Sequence, residues 1–361
     1  VLTALVFLII LLSAVLAHEL AHYLNARSVG LPVRAFSVGM GPVLFRHTWR
    51  GTEWRFSLFP IGGYVDLPGM APTVDADGNL QHPTGGMAEK PLTQKLWVLL
   101  GGVIANFLLG VVLITAVILI APGYRQITSN VTPTEEGAVI ADVIPGSAAA
   151  GAGLQVDDQI IAINGHKDPD RERVIREIRG ADRLELSLLR GDARVEIALP
   201  WPPEGSEERP LLGVQLRPLS IEDLGVGVGQ ASGEALWFSI RLLPEAVQGF
   251  ARGFAATLVG RQSEEVAGPV RIVSLVNQAT RIGVAPVLLL AAVINLSLAI
   301  FNLLPIPGLD GGRMLLATVV SLRGRPFRPG QEEKFHFLGI MLVLALIALI
   351  TFNEISDLIR G

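Results

Sequence analysis

The stretch VLTALVFLIILLSAVLAHELAHYLNARS, residues 1–28, decides the fold. From Val1 to Leu16 it carries no charge, and the pattern continues helically past His18. It therefore approaches the length of about 20 residues that takes a helix across a hydrocarbon core of about 30 Å. A secretory signal cut after Val15-Leu16-Ala17 is the rival reading. No basic stretch precedes the run and the most chemically loaded residues of the chain follow it, so a retained span is expected. Those residues, His18-Glu19-Leu20-Ala21-His22, form an H-E-x-x-H motif. Positions four apart on a helix share a face, so both imidazoles can reach one zinc ion while Glu19 stands beside it. Catalytic zinc takes three protein ligands and keeps a fourth position for water. Glu19 is then the expected general base on that water, handing the proton to a leaving amine. The bland reading is a chance grouping at a helix end, snorkelling into the headgroups; the cost of ionisable side chains inside a span argues for chemistry instead.

Working outward, Leu96 to Ala121 and Phe335 to Phe352 are equally clean runs. Ala285 to Leu304 is interrupted only by Asn295, Ser297 and Asn302 before Pro305 and Pro307. Four transmembrane helices are expected, at about 1–24, 96–121, 285–305 and 335–353. The 361 residues are 50% hydrophobic and only 17% charged, against about 25% in soluble domains. With a net charge of −4 and no basic stripe interleaved with aromatics, nucleic acid is excluded as a partner. No cysteine is present, so a metal must be held by His, Asp or Glu. Basic residues cluster between the first two spans, from Arg27 to Lys95, and between the last two, from Arg313 to Lys334. Both clusters belong on the cytoplasmic side, which puts Tyr124 to about Gly283 outside and the motif near the cytoplasmic face.

That outer region reads as an α+β module. Strands are expected at Ala138–Ile144, Gln159–Ile163, Leu184–Leu189 and Val195–Leu199, with a polar helix at Asp170–Arg179 and turns at Pro145-Gly146, Asn164-Gly165 and Arg190-Gly191-Asp192. Beyond it, Ala235 to Val259 alternates apolar residues with Arg241, Glu245, Gln248 and Arg252, the pattern of an amphipathic helix on or dipping into the membrane surface. Trp201–Pro210 reads as a linker and Asp66–Gly86 as a cytoplasmic loop.

The motif still lacks a third ligand. His47 and His82 fall in loops, His166 follows a turn and His336 opens the last span, so Asp310 is preferred. Pro305 and Pro307 must break the third span just before it, and Gly311-Gly312 allow close approach to another helix. Asp310 could equally cap a short helix from Arg313 to Leu322, and the two roles are compatible. Asn302, a polar amide at bilayer depth, either bonds a substrate backbone or pairs between helices. For Asn106, beside Gly101, Gly102 and Gly110, helix packing is expected.

His18-Glu19-x-x-His22 with the distant Asn302-x-x-Pro305-x-Pro307-x-Leu309-Asp310-Gly311 resembles the signature of the site-2 proteases, and within them the bacterial regulator-of-sigma-E branch. Phe36-Ser37-Val38-Gly39-Met40-Gly41-Pro42 and Phe59-Pro60-Ile61-Gly62-Gly63-Tyr64-Val65 are similar to that family's cytoplasmic-side membrane-associated β segment. Gly102-Val103-Ile104-Ala105-Asn106 and Ala267-Gly268-Pro269-Val270-Arg271-Ile272 also resemble family stretches. Val143-Ile144-Pro145-Gly146-Ser147-Ala148-Ala149 and Ala152-Gly153-Leu154, leading to Asp158-Gln159-Ile160-Ile161, resemble a PDZ domain, although Asp157 stands where such domains carry Gly. One PDZ-like unit is visible, whereas the best-known enterobacterial relatives carry two in tandem. Either it binds a peptide as an added strand or it is a spacer.

The resemblance implies a polytopic α-helical membrane protein in which a cytoplasmic-side β segment and an inserted extracytoplasmic PDZ domain accompany the four spans. Its expected domains are a protease half at 1–122 (β segment about 34–66), a PDZ domain at 124–218, a linker with the amphipathic helix at 219–283, and a second half at 284–361. The implied activity is that of an intramembrane endopeptidase of the bacterial inner membrane, with one zinc ion on His18, His22 and Asp310 and with Glu19 as base. Its substrate would be a single-span protein already trimmed outside, such as an anti-sigma factor, or a remnant signal peptide. A membrane helix hides its carbonyls in internal hydrogen bonds, so the enzyme must hold its substrate extended. Gly62, Gly63 and Tyr64, on an edge strand within Glu53–Val65, and Asn302 are the candidate substrate contacts. An inactive membrane-anchored PDZ scaffold and a metal transporter are the competing classes; the second fits poorly because the metal residues cluster at one face instead of lining a midplane path.

Overall fold

Backbone groups in hydrocarbon must find their partners within the segment, and the opening apolar run does so as one helix, α1 (Leu2–Ser28). The computed structural model describes residues 2–70, 73–74, 80–128, 137–191, 193–202, 212–218, 226–258 and 267–360. Parts of the expected Asp66–Gly86 loop and the Trp201–Pro210 linker lie outside these residues. Two units separate, Val1–Ile120 with Val228–Gly361, and Ala121–Gly227.

In the first unit, α1 leads into a hairpin of β1 (Ala35–Trp49) and β2 (Thr52–Asp66). Its outer arms pair from Val43↔Ser57 to Trp49↔Thr52. The hairpin then folds back on itself: Ser37 pairs with Arg55 on one side and with Tyr64 on the other. Ala35–Val38 is thereby enclosed, and Gly63–Asp66 is left with pairing on one side only among the described residues. The enclosed end is buried against α1, where Phe36, Tyr23, Leu31 and Val33 share a core with Trp54 packed on it. The outer arm instead exposes Leu44, Phe45, Phe56 and Phe59. Helix α2 (Leu92–Ile120) follows.

The second unit is an antiparallel sheet built from β3 (Ala138–Val143) and β4 (Gln159–Ile163), then, after helix α3 (Arg171–Gly180), from β5 (Arg183–Arg190), β6 (Ala193–Pro200) and β7 (Val214–Pro218). Its order is β7-β3-β4-β5-β6, with a short His166–Lys167 strand paired to β4. Asp170 caps α3 by accepting the Arg173 N–H at 2.6 Å. Ile140, Ile163, Leu184, Leu186, Leu188 and Trp201 form the core, and the indole of Trp201 donates to the Ile178 carbonyl at 2.7 Å. Buried Asp158 receives two hydrogen bonds from Arg190, at 2.7 and 2.8 Å. Asp157 has a φ of 68°, a left-handed backbone conformation that a glycine would adopt without steric cost. The sequence reading missed β7, a five-residue strand in a polar context.

The first unit resumes with α4 (Val228–Leu258), which starts before the expected Ala235 and runs through Pro244. It packs along α2, and Phe250 meets Phe301 edge-on with centroids 4.3 Å apart. Helix α5 (Pro269–Ile282) is anchored at its start by α8 (Gln331–Arg360), whose Glu354 accepts the backbone N–H groups of Gly268 and Val270 at 2.7 and 3.1 Å. Between them lie α6 (Val284–Leu303) and α7 (Asp310–Arg323). Four helices among the described residues are long and apolar enough to cross a membrane: α1, α2, α6 and residues Gln331–Ser356 of α8. The apolar windows of α2 and α6 are 33% buried, against 11% and 6% for the other two, so these two spans form the centre of the unit.

Candidate metal centre

His18 and His22 sit one turn apart on α1, as their spacing requires. Their Nε2 atoms are 3.1 Å apart, and Asp310 Oδ2 lies 3.2 Å from the first and 3.1 Å from the second. Among the described residues this is the one group of three His, Asp or Glu side chains close enough to hold a metal ion. His22 is 8% exposed, and its Nδ1 lies 2.8 Å from the Val98 carbonyl oxygen. A carbonyl only accepts, so Nδ1 carries a proton and Nε2 is the nitrogen left to face the aspartate. A ring nitrogen 3.1 Å from a carboxylate oxygen is held there by a positive charge between them, either a proton on Nε2 or a metal ion bound to its lone pair. The donor set of two imidazole nitrogens and one carboxylate oxygen is one that zinc takes, and sides of 3.1–3.2 Å match three corners of a tetrahedron around an ion about 2 Å away.

The chain folds locally so that Asp310 reaches this point. Helix α6 stops at Leu303, because Pro305 and Pro307 deny the next turn its donors. The connecting loop is held from α8, where His336 Nδ1 accepts the Gly308 N–H at 3.0 Å. Helix α7 then starts directly against the end of α6: a Cβ on Gly311 would collide with the carbonyl oxygens of Leu303 and Leu304. Leu309 occupies the capping position and no side chain caps α7, so the alternative reading of Asp310 as a cap is not realised. Its carboxylate points to the histidines instead.

Helix α2 closes the other side. Gly102 lies flat on the His18 ring, leaving no room for a Cβ. Asn106, 1% exposed, brings its amide within 3.4 Å of His18 Nδ1, so the expected packing role understates its position. A cavity of about 320 Å³ opens beside these groups, lined by His18, Glu19, His22 and Asp310 together with Gly63, Tyr64, Asn302 and Arg313. Of the three expected strand residues, Gly63 and Tyr64 line it, whereas Gly62 stands aside, with a φ of 77°, near Met40. A Cβ on Gly63 would come within 2.9 Å of Glu19 Cγ, so this strand rests on Glu19 without a side chain between them. Tyr64 Oη accepts from Arg55 at 2.7 Å, and Arg55 also pairs with Glu53 at 2.9 Å. The hydrogen bond from Arg55 holds the Glu53 carboxyl below its ordinary range. Asn302 donates to the Leu298 carbonyl of its own helix at 3.1 Å, which is not the interhelical bond considered as the alternative.

Comparison with known proteins gives the same direction. The model of peptidase family M50 matches residues 6–346. A protein of Agrobacterium fabrum named "Putative zinc metalloprotease" is 32% identical over 377 residues, covering 98% of this chain and 95% of its own. A Fusobacterium nucleatum protein of the same description is 29% identical, covering 99% of each chain. "Probable protease eep" of Enterococcus faecalis is 25% identical, covering 98% and 99%.

Proposed function

This chain belongs to peptidase family M50, the site-2 proteases, and from that premise we propose that it cleaves a peptide bond within or beside a substrate's membrane span. It is a zinc metalloprotease with several membrane-spanning helices. The observation that carries the finer reading is the convergence of His18 Nε2, His22 Nε2 and Asp310 Oδ2 beside Glu19 in one cavity. These three side chains would hold the zinc. Bound there, zinc would supply Lewis acidity toward water and the scissile carbonyl. The Glu19 carboxylate takes the proton of the attacking water and delivers it to the leaving amine nitrogen.

The substrate must arrive as an extended segment, since a helical one offers no free carbonyl. The side of Gly63–Asp66 without a strand partner among the described residues supplies main-chain groups for such a strand, Gly63 and Tyr64 border the cavity, and Asn302 offers an amide from the facing helix. We assign the exposed apolar arm of the β1–β2 hairpin to the cytoplasmic leaflet and the second unit, read as a PDZ domain, to the outer side of a bacterial inner membrane, on the distribution of basic residues. The regulator-of-sigma-E branch, with single-span proteins or remnant signal peptides as substrates, is the closest description of this layout. Membership in a protease family weighs against both the scaffold and the transporter readings.

The test is cleavage of a model single-span substrate by the purified chain in detergent. Activity should vanish on chelation and return with zinc, and Glu19→Gln should lower the rate by about 10²–10⁴-fold or more while keeping the metal. Unimpaired cleavage by Glu19→Gln would refute the assignment.

A further inference from the structure

The two histidines present the same problem on the side away from Asp310. A ligand nitrogen must be free of its proton, so when Nε2 faces the metal Nδ1 holds the hydrogen and needs an acceptor. For His22 that acceptor is the Val98 carbonyl, 2.8 Å away on α2. For His18 the neighbour is Asn106, two turns further along the same helix, with Nδ2 3.4 Å from Nδ1. That orientation sets one N–H against another, and it leaves Asn106 Oδ1 buried without a partner. The two ends of an asparagine amide have nearly the same shape and are told apart by their hydrogen bonds. Turning the amide over brings Oδ1 to the His18 N–H and puts the NH₂ where Oδ1 now lies.

We propose that Asn106 is a positioning residue of the zinc site: its side-chain carbonyl accepts the Nδ1 proton of His18 and so keeps the Nε2 lone pair aimed at the metal. The proposal rests on the reading of His18 as a zinc ligand. Helix α2 then provides an acceptor to each histidine, one from its backbone and one from a side chain. The backbone acceptor is free to any sequence, because Val98 contributes only its carbonyl; the second demands a specific residue. Packing does not explain the amide. Close approach of α1 is already provided by Gly102, where a Cβ would strike the His18 ring, and that of α6 by Gly110, where a Cβ would come within 2.7 Å of Leu296. An apolar side chain at 106 would serve such packing without leaving a polar atom orphaned.

The experiment measures zinc affinity of the full chain in detergent, by competition with a chromophoric chelator, for wild type, His18→Ala, Asn106→Leu and Asn106→Asp. Loss of an outer-shell partner weakens metal binding by about 10–100-fold, and that loss is expected for Asn106→Leu. Asn106→Asp keeps an accepting oxygen in the same shape and should bind zinc within a few-fold of wild type. His18→Ala should lose tight binding. If His18→Ala is weakened while Asn106→Leu binds like wild type, the role of Asn106 is overturned and the ligand set stands. If His18→Ala binds normally, both fall. The Asp variant decides the matter even where the Leu variant does not fold: a carboxylate cannot donate, so weakening in Asp as great as in His18→Ala overturns the proposal.

Discussion

Asp310 stands 288 residues from His22 in sequence, yet its oxygen completes a triangle with two imidazole nitrogens. Removing it leaves two neutral ligands and no negative charge in the set. Asp310→Ala is therefore expected to bind zinc more weakly than any outer-shell variant, by about 100-fold or more, as read from metal content after dialysis. Full occupancy in that variant would remove Asp310 from the site. The pair on α1 is legible because helical spacing alone puts positions 18 and 22 on one face. Asp310 is legible only through its setting of prolines and glycines at the end of a span. Asn106 is not: nothing local distinguishes an amide that meets a histidine from one that packs, and the ring it meets is on another helix.

At the scale of elements, the spans are the most readable part of the chain, since crossing hydrocarbon takes a length and a composition and both are local. The sheet is less so. Alternating Trp54, Phe56 and Leu58 mark one strand and the family resemblance implies a β segment over about 34–66, but the fold-back that pairs Ser37 on both sides depends on contacts across more than one turn. That fold-back brings Gly63 against Glu19, with the Ser37 carbonyl 2.7 Å from where a Cβ would be. Gly63→Val should push the strand off α1 and disorder the cavity around Glu19. Cleavage is expected to fall by about 10-fold or more, as misplacement at a catalytic centre does, while zinc content stays near wild type. Gly102→Ala should act in reverse: its Cβ meets the His18 ring, so metal content is expected to drop first. Dialysed samples of the two variants, assayed for zinc and for cleavage, separate these outcomes.

On the scale of the whole molecule, the inserted unit carries its own core, centred on Trp201, Leu186 and Ile163, and an internal Asp158–Arg190 pair. Residues 121–227 expressed alone should unfold cooperatively, and Trp201→Ala should cost about 3–5 kcal/mol in chemical denaturation. Absence of a cooperative transition would mean that this unit does not stand by itself. The sequence alone determined which segments are long and apolar enough to span a membrane, that a metal would have to be held without cysteine, and that one helix face carries His18 and His22, because each of these follows from local composition or helical period. Tertiary structure decided which aspartate reaches the pair, which strand lines the cavity and which amide comes within 3.4 Å of the His18 ring. These depend on how helices from opposite ends of the chain pack, and packing is set by the shapes of surfaces that are not neighbours in sequence.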